Sequence, residues 1–206
     1  MNRFLLHDRR GASAAEFALV LPLLILLLFG LIDAGRYMWQ WNSAEKAAQA
    51  GVRMAVVTLP VPQGLIDAAY VGNTSGGPAL TQGDPIPLTA LGKIVCNNTA
   101  CCNPASLCTT PYPALGTFNS ASFNAIVQRM RFIDPLIQAA DVTIEYRGSG
   151  LGYAGDPNGM EIAPMVKVNI AKIDLSTLSS MTLLSTRITN ISATMTAEDS
   201  SGTVSN

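Results

Sequence analysis

The sequence predicts an α+β protein: one long N-terminal helix, apolar in its first half and amphipathic in its second, packed on a small antiparallel sheet. Three observations carry that expectation. An unbroken apolar run fills positions 17–32 behind a short basic start. Small apolar residues, Ala44, Ala47, Ala48, Gly51, Val52, Ala55 and Val56, then recur at spacings of three and four, the period of a helix face. Toward the C-terminus, three stretches alternate apolar and polar residues, as half-buried strands do.

The apolar run gives a helix of about 24 Å at 1.5 Å per residue. Ala12, Ala14 and Ala15 extend it toward the ~30 Å of a bilayer's hydrocarbon core. Arg3, Arg9 and Arg10 precede it, which sets the N-terminus on the cytoplasmic side. Tyr37, Trp39 and Trp41 follow it and supply an aromatic belt at the far interface. Residues 42–206 are therefore expected outside the cytoplasm. A cleaved secretory signal fits less well, because its apolar core is typically only about 7–15 residues. A cut near Ala34 and Gly35 would also sever the run from the amphipathic pattern behind it.

Two residues distinguish this segment from a plain anchor. Arg9 and Arg10 stand directly before Gly11, and four small residues separate Gly11 from Glu16 and Phe17. A carboxylate at the rim of a membrane helix is costly, which makes Glu16 a functional candidate. Pro22 lies inside the apolar run, where it removes a backbone hydrogen bond and weakens the helix; a tolerated membrane kink is the plain reading.

The pattern G-x-x-x-x-E-F ahead of an apolar helix resembles the processing site of type IV pilins. It is most similar to the TadE/TadF pseudopilin group of the tight-adherence (Tad, or Flp) pilus. The resemblance is strong from about residue 11 to residue 57 and rests on layout alone beyond that. It implies a cytoplasmic leader, 1–11, cut from the chain by a prepilin peptidase between Gly11 and Ala12. The new amine of Ala12 and the carboxylate of Glu16 on a neighbouring subunit would then pair in apolar surroundings, and the pairing would fix axial register. It implies that the helix loosens near Pro22 on assembly. It also implies as partners other pilins and pseudopilins, the inner-membrane pilus platform and membrane lipid, with a single-pass chain in the bacterial inner membrane whose C-terminal domain is periplasmic and can enter the pilus.

The helix is expected over 12–58, since Pro60 and Pro62 end both helix and strand signals. Glu45, Lys46, Gln49 and Arg53 lie opposite its small-residue face. Residues 59–118 form a loop region rich in Pro, Gly, Asn and Thr, with one short helical candidate at 64–70. Cys96, Cys101, Cys102 and Cys108 crowd its second half, a pattern suited to disulfides in an oxidising compartment. Adjacent cysteines pair with strain, which leaves two connectivities open. The spacing lacks the C-x2-C knuckles of a zinc ribbon, so no metal is expected here.

Residues 119–206 form an α+β outer domain. A helix over 119–139, capped by Asn119 or Ser120, presents Phe123, Ile126, Val127, Met130 and Ile133 on one face, with a break at Pro135. Three strands follow. The first, 141–148, turns Val142, Ile144 and Tyr146 one way; the second, 163–173, turns Val166, Val168 and Ile170 one way. The third, 186–198, alternates Ile188, Asn190 and Ser192 against Thr189, Ile191 and Ala193.

Little chemistry is encoded. The single histidine, His7, precedes Gly11, so the outer region has none for a catalytic triad or for zinc. Glu145 and Glu161 are the one carboxylate pair that the strand pattern brings toward each other. Asp156 and Asn158 lack the spacing of a calcium loop. Net charge is −1, and removing residues 1–11 leaves 10 basic and 13 acidic residues, or −3. No basic cluster remains for nucleic acid. No catalytic residue, metal or cofactor is expected, and the chain is read as a structural assembly subunit rather than an enzyme. The runner-up readings are a surface-binding module using the cysteine-rich loop and an uncleaved, membrane-anchored periplasmic domain of other function.

Overall fold

The structure, a computed structural model, describes residues 11–157, 159–175 and 186–197. It is an α+β fold with a long N-terminal helix and a four-stranded antiparallel sheet. The chain divides into two compact units, with boundaries at Trp41/Asn42, Ile173/Asp174 and Thr186/Arg187.

Helix α1 spans Ala12–Val57 and runs unbroken through Pro22. Its residues to Trp41 belong to the first unit and those from Asn42 to the second. In the second unit the small-residue face is the buried one: Ala44, Ala47, Ala48, Gly51, Val52, Ala55 and Val56 are all buried. Glu45, Lys46, Gln49 and Arg53 are exposed. The reason for small residues is visible at Gly51. A Cβ there would stand 2.6 Å from Met130 Cγ and 3.4 Å from Val168 Cγ1. The helix backbone therefore lies against a second helix and the sheet at once. Beyond Val57, the Thr58 N–H and hydroxyl both donate to the Met54 carbonyl, at 3.1 and 2.9 Å. Pro60 then prevents continuation.

Helix α2 spans Ser120–Ile133. Asn119 is its cap, its side-chain oxygen accepting from the Ser122 N–H at 3.0 Å. Phe123, Ile126, Val127 and Met130 are buried, as the sequence period requires. The helix stops at Ile133 rather than continuing to 139. Asp134 precedes a proline and adopts an extended backbone (φ −130°, ψ 97°), because Pro135 disfavours the helical region for the residue before it.

The sheet has the spatial order β1-β2-β3-β4. Strand β1 is Lys93–Cys96, β2 Val142–Arg147, β3 Met165–Leu175 and β4 Thr186–Thr196. β1 and β2 are antiparallel with Ile94 opposite Tyr146; β2 and β3 are antiparallel with Ile144 opposite Val168. One face carries Ile94, Cys96, Val142, Ile144, Tyr146, Val166, Val168, Ile170 and Ile188, all buried. The other presents Thr143, Glu145, Lys167 and Asn169, where Asn169 donates to the Thr143 hydroxyl across the ladder. Tyr146 adds a polar tie: its hydroxyl oxygen accepts from the buried Val61 N–H at 3.1 Å. Burial holds this phenol well above its ordinary range, so it stays neutral.

Four expectations need correction. The sheet has four strands, not three, because β1 lies inside the region read as loop. The helical candidate at 64–70 is only the 3-10 turn Gln63–Leu65. Strand β4 does not alternate throughout. Ile188 and Ile191 are both buried although three apart, and Asn190 between them has φ +58°. Asn tolerates this left-handed conformation better than most residues, and one extra residue in a strand moves the following side chains to the other face. Finally, Glu145 and Glu161 do not form a carboxylate pair. Glu145 bonds Arg147 and faces Lys167, whereas Glu161 accepts from the Tyr70 N–H at 2.8 Å.

If close helix approach at Gly51 organises the core, a large side chain there is not tolerated. Gly51→Leu is expected to destabilise the second unit, the outer unit of the sequence reading, by about 1–3 kcal/mol through overpacking. Thermal unfolding of the full chain in detergent would register this as a lower midpoint, while the exposed Gln49→Leu leaves it near wild type.

Candidate functional site

The first unit offers an unusual surface. From Phe17 to Ile32 every residue of α1 is exposed, with Leu19 at 81% and Phe17 at 60%. The most apolar stretch has a mean hydropathy of 2.6 and none of it is buried within the protein. A soluble core helix of this composition would be covered. By length and composition α1 is a candidate membrane anchor.

The charges lie at the ends of this stretch. Gly11 immediately precedes the helix, and Glu16 is exposed in its second turn. At the far end, Asp33 and Arg36 approach to 3.8 Å, pairing opposite charges where the apolar run gives way. Tyr37 and Trp41 follow, their rings 6.2 Å apart between centroids. Trp39 is exposed. Pro22 contributes no N–H, which leaves the Ala18 carbonyl without its intrahelical donor.

The cysteine cluster in the second unit has a different character. Disulfides link Cys96 to Cys101 and Cys102 to Cys108, choosing one of the two connectivities that the spacing left open. Cys96 ends β1, and the loop behind it folds back along that strand. Lys93 and Thr109 exchange both backbone hydrogen bonds at 2.9 Å, and the Cys102 N–H donates to the Val95 carbonyl at 2.8 Å. The turn between is held by Asn97, whose side-chain oxygen accepts from the Thr99 N–H, the Thr99 hydroxyl and the Ala100 N–H. The loop thus covers the outer edge of β1, on the side away from β2. An uncovered sheet edge invites pairing with other chains, and here backbone and disulfides together cover it.

Gly92 shows how tightly the loop is drawn in. A Cβ at that position would lie 2.0 Å from the Thr109 carbonyl oxygen. Sequence reasoning missed β1 because the strand is four residues long and flanked by turn residues. The available signal was Ile94 and Cys96 alternating with Lys93 and Val95.

Among the described residues no group of three His, Cys, Asp or Glu side chains is placed to hold a metal. A small pocket lined by Tyr70, Asn73, Ser75, Pro111 and Tyr112 contains no carboxylate or histidine. Tyr70 is buried and its hydroxyl has no hydrogen-bond partner among the described residues. Burial first, and then the nearby charge of Glu161, push its phenol up to about 12, so it stays protonated at neutral pH.

Residues 11–53 match the family model described as TadE-like protein. This segment is TadE-like. The match begins at Gly11, takes in Glu16, the whole apolar run and the aromatic residues, and ends on α1 just after Gly51. It is consistent with a TadE-like protein of the Tad pilus system. The TadE-like segment thus covers both the exposed apolar part of α1 and most of its buried small-residue face, while the sheet and the cysteine loop lie outside it. No curated protein and no solved structure matches the chain.

The disulfides close short loops, and cross-links of this size stabilise by about 2 kcal/mol. The double variant Cys102→Ser, Cys108→Ser is therefore expected to open the edge of β1. Backbone amide exchange at Cys102 and Thr109 should accelerate by an order of magnitude or more, with the amides of β3 little changed. Unchanged protection at the β1 edge would show that the backbone bonds suffice without the cross-link.

Proposed function

We propose that this chain is a minor, pilin-like subunit that serves assembly of a Tad-type pilus. The observation that carries this reading is the coincidence, within the TadE-like match, of Gly11, Glu16 and Phe17 with the start of a helix whose following residues are apolar and exposed. TadE-like proteins are structural rather than catalytic.

In this reading a prepilin peptidase cuts between Gly11 and Ala12 on the cytoplasmic side of the inner membrane. The outer unit lies in the periplasm, where Cys96, Cys101, Cys102 and Cys108 oxidise. Cleavage creates a cationic amine on Ala12. Beside other pilins, the apolar face of α1 packs helix on helix, and the Glu16 carboxylate of one subunit meets the Ala12 amine of the next. Neither charge is stable alone in apolar surroundings. Removing one partner of such a buried pair typically costs about 3–5 kcal/mol, so a misplaced register is strongly disfavoured. Pro22 gives the helix a point at which it can loosen as it passes from lipid to a protein neighbour.

The test is Glu16→Gln, which keeps shape and removes charge. In the host with its pilus system intact, pilus output or the chain's incorporation should fall by more than about tenfold, while membrane levels of the subunit stay normal. Wild-type assembly by Glu16→Gln would remove charge pairing from the mechanism.

A further inference from the structure

The end of α2 carries a surface that the assembly role does not use. Phe132 is 82% exposed, the most exposed aromatic side chain among the described residues. Leu136 and Pro135 beside it are also exposed. Arg129 and Arg131 are exposed on the same helix, and Arg129 lies three positions before Phe132, on its face. The acidic group at this end is turned away: Asp134 is buried, its carboxylate accepting from the Leu136 N–H at 3.1 Å. What remains outward is an aromatic ring with guanidinium groups around it.

The position of this surface along the chain identifies its occupant. The Ser43 hydroxyl donates to the Ile133 carbonyl at 3.4 Å, which fixes the end of α2 beside Ser43 within the outer unit. Ser43 is two residues along the chain from Trp41, a reach of about 7 Å at most. Aromatic rings favour the headgroup level of a bilayer. Arginine side chains there bury their stems and direct the guanidinium to lipid phosphates.

We propose that the C-terminal end of α2, through Phe132, Leu136, Arg129 and Arg131, is a membrane-surface contact that holds the outer unit against the bilayer. The partner is the phospholipid interface, with Phe132 seated among the glycerol groups and the arginines on phosphates. The contact rests on α1 being a membrane anchor. It would hold the outer unit at the bilayer until α1 leaves the lipid.

The full chain reconstituted in vesicles of phosphatidylethanolamine and phosphatidylglycerol, with some acyl chains brominated near the glycerol, separates these claims. The protein has two tryptophans, Trp39 and Trp41. Their quenching by the brominated lipid in the native chain tests the anchor itself. In a second chain, Trp39→Phe, Trp41→Phe and Phe132→Trp leave a single reporter at an exposed site that a ring already occupies. The proposal expects that reporter's emission to fall to about half on bromination, as for an interfacial ring. Quenched native tryptophans with an unquenched, red-emitting reporter would overturn the contact and leave the anchor standing. A blue-shifted but unquenched reporter would show that protein covers Phe132, and it would also overturn the proposal. Unquenched native tryptophans would remove the anchor and the contact together.

Discussion

Water cannot accommodate the apolar part of α1, and the rest of the molecule depends on that. Burying one Leu, Ile or Phe side chain is worth about 1.5–3 kcal/mol. A run from Phe17 to Ile32 that the chain itself leaves exposed therefore carries tens of kcal/mol of unsatisfied burial, more than the 5–15 kcal/mol that stabilises a typical domain. The outer unit could not offset it. On the proposed reading the run lies in lipid or against other apolar helices, and the subunit passes between those two surroundings as it assembles. Both are apolar, so little hydrophobic energy distinguishes them. On that reading what distinguishes them is polar: the proposed pairing gives the Glu16 carboxylate a partner beside a neighbouring subunit that lipid does not supply.

The same helix changes its composition when its task changes. Leucines dominate where the helix is left exposed by the rest of the chain. Ala, Gly and Val dominate from Ala44 onward, where the partners are Met130 and Val168 of the chain's own core. A close backbone approach there lets a small sheet, with one α-helix beside it, bury a continuous face from Ile94 to Ile188. The cysteine loop adds to this economy. It covers the β1 edge with its own backbone, which protects the sheet from pairing with other chains and leaves the loop pinned instead of projecting.

Much of this was legible in the sequence, for physical reasons. Gly11, Glu16 and Phe17 stand at fixed spacing before an apolar run, a pattern that needs no tertiary information. The buried face of α1 and the alternation in β2 and β3 follow from periods of 3.6 and 2. What was not legible depended on contacts distant in sequence. β1 is four residues long and becomes a strand by pairing with β2 and Thr109, about 50 and 15 residues away. The shift of face at Asn190 is a single backbone conformation that alternation cannot encode. Disulfide choice depends on how the loop folds back along β1.

The central claim is that the helix beginning at Ala12 is a processed pilin-like terminus. The most direct measurement is the intact mass and first residue of the chain extracted from membranes of a host with its prepilin peptidase. The account predicts a mature start at Ala12 that is lost when Gly11 is replaced. A chain still beginning at Met1, or one cut near Gly35, would contradict it.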